Sequence, residues 1–260
     1  MKHIRKRFLA EMDASNLEPE AHRFDIIENV PKGIYKHQLS GRESKIGWAV
    51  TDENLAIPCF IFRENGNYYY MPVPEPPLIY FNYAQSLLKH IKTVRKELMD
   101  RLRLEIEAPK VPPVHEIYHF YSLSSNFVIN LITTIASFVN RRIPDEYVFQ
   151  QVKNACTEFY SKEQIQRNID LKTKLKYILP ELTHRKVFTG HARTMPIIWE
   201  LKRLRDELIH LKDNGGLLRY DSIIKQLLNF RYESSLDAVA ELINYYQPKY
   251  IEECDCGSEE

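Results

Sequence analysis

The side chains best suited to chemistry gather in one stretch, Pro196-Ile197-Ile198-Trp199-Glu200-Leu201-Lys202-Arg203-Leu204-Arg205-Asp206-Glu207-Leu208-Ile209-His210-Leu211-Lys212. A free imidazole titrates near about pH 6.5, so His210 is suited to take up or release a proton close to neutrality. Arg205 carries a permanent, forked cation of the kind that binds a phosphate and stabilises charge building on its oxygens. Asp206, one turn before His210, has two roles open to it: fixing the imidazole tautomer by a hydrogen bond, or pairing with Lys202 at i,i+4. The pair itself also reads two ways. Arg205 and His210 are either an anion-binding and proton-transferring couple, or a surface ion-pairing arginine and a histidine that complements a helix C-terminus.

The helix that must position them is legible from its spacing. Ile197, Leu201, Leu204, Leu208 and Leu211 recur at intervals of three and four, an apolar stripe that buries one face. Pro196 and Asp213-Asn214-Gly215-Gly216 mark the ends. At about 100° per residue, Arg205 and His210 stand about 140° apart, flanking a sector that holds Lys202, Asp206 and Ile209. They cannot converge through their own helix. They can converge on one ligand across a groove made with a second copy of it, so the expectation is a two-fold homodimer built through residues 195 to 212.

The rest of the chain divides by its periodicity. Short strand patterns at Gly33 to Tyr35, Ile46 to Val50, Ile57 to Phe62 and Tyr68 to Met71 predict a small β-rich region over residues 1–77. Its last two strands flank Asn65-Gly66, a pair suited to a tight hairpin turn. The aromatic cluster Tyr68-Tyr69-Tyr70 with Trp48, Phe60 and Phe62 is read as core and cross-strand packing, with base stacking as the alternative. After the stiff run Pro72 to Pro77 the period becomes helical. Helices are expected from residue 78 to before Pro109, then at 115–140, 145–160, 162–179, 195–212, 219–230 and 235–246, a bundle over 78–251. The fold class is α+β, mostly α, closed by an acidic tail at 252–260.

Arg205-Asp206-Glu207-Leu208-Ile209-His210 resembles the Arg-x4-6-His signature of the HEPN superfamily, the helical domains of many prokaryotic ribonuclease toxins. Two upstream segments are similar to others of that family: the polar-studded helix Ser125 to Asn140, and Asp170 to Pro180 ahead of the signature helix. The resemblance covers roughly 115 to 212. It implies metal-independent RNA cleavage, in which the ribose 2′-OH attacks the adjacent phosphate and leaves a 2′,3′-cyclic phosphate. His210 would be the general acid or base, Arg205 the phosphate ligand and Asp206 a supporting group. Lys202 and Arg203 would bind the RNA backbone; apart from the resemblance, the loop that carries His184, Arg185, Lys186, His191 and Arg193 reads by default as solvated, with an extension of that phosphate-binding surface through Arg185, Lys186 and Arg193 as the alternative. The implied setting is a toxin or phage-defence effector, with an antitoxin protein as a partner and no cofactor or metal; a cytoplasmic location is expected separately, from the few and oddly placed cysteines. The other reading is a non-catalytic helical module that binds RNA or a protein.

Charge leaves RNA open as a partner. The chain has 36 Lys and Arg against 35 Asp and Glu, but the total conceals a pattern. Residues 1–108 are nearly balanced, residues 162–212 hold 12 basic and 6 acidic side chains, and the tail carries 5 acidic and no basic ones. Four cysteines, two of them crowded at Cys254 and Cys256, are too few for a disulfide framework. The Cys254-Asp255-Cys256 spacing is also too tight for a zinc knuckle. The start MKHIRKRFLAEMDAS has too short an apolar stretch for a secretion signal. The apolar segment Asn126 to Val139 falls short of the roughly 20 residues of a membrane span and reads as a buried core helix.

Overall fold

A computed structural model describes residues 4–16, 26–27, 46–50, 55–103, 112–153, 156–190, 193–210 and 216–254. The chain divides into two compact units, one spanning Lys6–Leu78 and the other joining the first five residues to Ile79–Glu260.

The first unit is a β-sheet. β1 (Met12–Asp13), β2 (Ile26–Ile27), β3 (Ile46–Val50), β4 (Leu55–Glu64) and β5 (Asn67–Pro72) pair antiparallel in the order β1-β4-β3-β2, with β5 also alongside β4. Asn65 (φ 50°) and Gly66 (φ 84°) both take left-handed backbone in the β4–β5 turn, the geometry that matches strand twist. The expected strand at Gly33–Tyr35 lies outside the described residues. The first half of β4 is buried at Ala56, Ile57 and Cys59. Its second half is not: Phe60 faces Met71 and Phe62 faces Tyr69 across the ladder, and all four are 43 to 49% exposed. The cross-strand part of the expected packing holds, with the Phe62 and Tyr69 rings 6.4 Å apart, but the core part does not, because Phe60, Phe62 and Tyr69 form an outward ladder with Met71.

The second unit is mostly helical. α1 (Pro76–Arg101) opens on two prolines, which suit a first turn whose N–H groups have no intrahelical partner. α2 (Val114–Arg142) is the central element, with Phe120, Phe127, Val128, Leu131, Ile135, Phe138 and Val139 buried along one stripe. Each such side chain contributes about 1.5–3 kcal/mol by leaving water. α2 is long and apolar enough by composition alone to cross a bilayer. In the fold it packs against α6 (Thr194–Ile209), α7 (Gly216–Leu228) and α8 (Tyr232–Tyr246). Phe127 meets Tyr232 edge-on at 5.1 Å, and a Lys92–Glu233 ion pair ties α1 to α8.

Two expectations change between α2 and α6. Within 145–160, expected as a helix, two segments instead pair as antiparallel strands, β6 (Phe149–Lys153) and β7 (Cys156–Tyr160). Phe149 and Tyr160 are paired and cover a cluster of Ile143, Ile165, Ile169 and Ile178, while Val152 and Phe159 point outward. That alternation has the period of a strand. The expected helix 162–179 is broken. α3 (Lys162–Asn168) begins with a Ser161–Gln164 capping box and stops at an extended Ile169. Asp170 then caps a new helix through the Thr173 N–H, 3.1 Å away. This helix runs through α4 (Leu171–Thr173), a π-helical segment Lys174–Ile178, and α5 (Leu179–Thr183).

The ends of this unit meet. Ile4 bridges Glu253 and the Arg5 N–H donates to the Glu252 carbonyl at 2.8 Å, so the first residues and the start of the acidic tail belong with the helices.

Candidate functional site

α6 is held by its apolar stripe. Ile197, Ile198, Leu201, Leu204 and Leu208 are buried against α2 and α8, and the Thr194 hydroxyl donates to Glu241 of α8 at 2.7 Å. Leu211 lies outside the described residues. The opposite stripe, Trp199, Lys202, Arg203, Asp206, Glu207 and His210, lines an open groove of about 790 Å³. Asp170 and Lys172, at the start of α4, complete the lining.

His210 caps the C-terminal end of α6. Its backbone N–H donates to the Asp206 carbonyl at 2.9 Å, and its exposed ring has no hydrogen-bond partner among the described residues. Asp206 does not hold that ring. Its carboxylate accepts from Lys202 Nζ at 2.7 Å on one oxygen and from Arg205 at 2.8 Å on the other. Partial burial raises its pKa, but the bonds and charges of Lys202 and Arg205 outweigh that and hold it below the ordinary carboxylate value. Of the two roles open to Asp206, the structure has the Lys202 pair, with Arg205 added.

The other groove charges are mostly committed too. Arg203 spans Glu207 at 2.9 Å and Gln226 of α7 at 2.8 Å. Burial pushes the Asp170 carboxyl up, while its bonds to Thr173 and the nearby Lys202 charge bring it below the usual range. Lys172 differs from Lys202 and Arg203: its ammonium has no ion-pair or hydrogen-bond partner among the described residues. Three carboxylates and three cations line the groove, so the basic excess counted along the sequence is not concentrated here.

The chain matches no protein-family model, no curated protein and no solved structure. The chemistry of the groove therefore rests on its own geometry.

Lys202, Arg203, Asp206 and His210 come together along the groove, but Arg205 does not line it. Arg205 lies on the flank of α6 beyond Lys202, consistent with the angular separation from His210. The remaining expected RNA-binding cations are elsewhere. Arg193 precedes the first turn of α6, about 25 Å along the helix axis from His210. Arg185 donates to the Tyr245 carbonyl and stacks over the Tyr245 ring at 5.6 Å, which makes it a fastener of the 184–190 loop to α8. The Lys186 carbonyl accepts from the Tyr245 hydroxyl at 3.2 Å, and the Phe188 N–H donates to the Tyr246 hydroxyl at 2.9 Å. His184 occupies the left-handed cap of α5, and His191 lies outside the described residues.

Trp199, Asp170, Lys172 and Glu207 are groove residues that the motif did not single out. The signal for Trp199 was available: eleven residues before His210, it falls within about 20° of the same helix face. No group of three or more His, Cys, Asp or Glu side chains is placed to hold a metal among the described residues. His115 and His119 on α2 form a two-imidazole pair, with ring centroids 5.8 Å apart.

Proposed function

We propose that the protein is a metal-independent endoribonuclease of HEPN type, acting in the cytoplasm as a homodimer in a toxin or phage-defence setting. The observation that carries the reading is His210, an imidazole at the end of α6 with no partner among the described residues, opening on a groove with Lys172, Lys202 and Arg203. His210 would move the proton between the attacking 2′-OH and the leaving 5′-oxygen. Arg205 would bind the scissile phosphate. Because Arg205 lies off its own chain's groove, it would serve a groove shared between two α6 helices, with Asp206 holding the guanidinium. DNA, which lacks the 2′-OH, would be bound but not cut. A partner antitoxin belongs to the same reading.

The test is incubation of RNA with wild type, Arg205→Ala and His210→Ala in EDTA, followed by end-group analysis. The expected result is 2′,3′-cyclic phosphate ends from wild type, and a loss of at least about 100-fold in each variant. Intact RNA with wild type, or equal cutting by the variants, removes the nuclease assignment. The charge balance of the groove lining favours one alternative, a non-catalytic HEPN-like module that binds RNA or a protein. It predicts retained binding and no cleavage.

A further inference from the structure

We propose that Trp199 and Lys172 form a nucleotide clamp within the groove: the indole stacks one base of a single-stranded RNA and the lysine ammonium takes an adjoining phosphate. The ligand class rests on the RNA reading above, whereas the clamp itself rests on three features of the groove. Trp199 stands on the polar face of α6, partly exposed, while Ile197, Ile198 and Leu201 around it fill the core. A large ring left on the wet side of an amphipathic helix presents a stacking surface that core packing does not use.

The second feature is Lys172. Lys202 and Arg203 are tied to Asp206 and Glu207, so among the described residues Lys172 is the groove cation left to meet an incoming anion without first breaking a pair. The third is alignment. Trp199 and His210 share one helix face about 16 Å apart along the axis, so a strand lying on α6 would be gripped at Trp199 while His210 faces a different linkage. An acidic peptide would satisfy Lys172 but brings no flat ring to the indole at every step. A nucleic acid brings a ring and an anion in each monomer.

Trp48 and Trp199 are the two tryptophans, so Trp48→Phe leaves Trp199 as the single indole reporter. A 2′-O-methyl RNA hexamer, which cannot be cut through its 2′-oxygen, is expected to quench that emission saturably. Trp199→Leu keeps apolar bulk without the ring face and is expected to weaken hexamer binding about tenfold, with Trp199→Phe retaining most of it. Lys172→Ala, at an exposed site, is expected to weaken binding severalfold and flatten the dependence on log salt by about 0.7. Unchanged affinity in both Trp199→Leu and Lys172→Ala overturns the clamp, and quenching by hexaglutamate as strong as by the hexamer overturns its nucleotide class. Failure here is distinct from failure of the nuclease reading. Quenching without cleavage leaves the clamp and removes the enzyme, whereas His210-dependent cleavage with affinity indifferent to Trp199 and Lys172 does the reverse.

Discussion

Asp206 sets how much positive charge α6 presents, because one carboxylate engages both Lys202 and Arg205. Asp206→Asn weakens both pairs and removes a repelling charge, so hexamer affinity is expected to rise severalfold at low salt, with a steeper salt slope, in a filter-binding titration. The pH dependence has a definite sign. Since the folded-state pKa lies below the ordinary 3.8, the stability these pairs supply is fully present above that value and is lost as pH falls through the folded pKa. Thermal midpoints of wild type and Asp206→Asn are therefore expected to differ at pH 7 and converge in strong acid. Lys202, Asp206 and His210 were readable as a polar sector because helical spacing fixes which residues share a face. Trp199 shares that face by spacing, but an apolar ring directly after two isoleucines looks like core until the buried stripe is located, and Lys172 reaches the groove only through a tertiary contact.

Most elements announced themselves by period, and the exceptions lie between α2 and α6. The sequence Phe149 to Tyr160 has apolar residues that also fit helical intervals. Pairing Phe149 with Tyr160 over Ile143 and Ile165 favours the strand pair, a tertiary gain that local pattern does not carry. The break at Ile169–Asp170 was visible only as a capping aspartate. The helix beyond that break depends on Lys174, buried in the π-helical segment, whose ammonium donates to Asn140 Oδ1 and the Gln166 carbonyl, both at 3.0 Å. It joins the ends of α2 and α3 to the helix that presents Lys172. Lys174→Ala leaves two acceptors without their donor and is expected to cost about 1–3 kcal/mol in denaturant unfolding. Hexamer affinity should fall with it, while Lys176→Ala, at an exposed site beside Tyr177, leaves both measurements nearly unchanged.

At the scale of the molecule, the expected β-rich first part and helical second part were legible, and the boundary falls at Leu78–Ile79 beside the proline run. The proposed dimer rests on one geometric fact: Arg205 and His210 occupy different flanks of α6. If each working site takes Arg205 from one protomer and His210 from the other, mixing Arg205→Ala with His210→Ala rebuilds one intact site in each mixed dimer. About a quarter of wild-type cleavage is then expected at equal amounts after subunit exchange, and none from either variant alone. No recovery after exchange verified by differently tagged subunits would place both groups in a single chain. Boundaries at the extremities were less legible, because the Ile4–Glu253 bridge joins residues far apart in sequence. That bridge has a consequence for proteolysis: the backbone at Ile4–Arg5 and at Glu252–Glu253 shields itself by pairing, so a cut that releases one of these segments exposes the other.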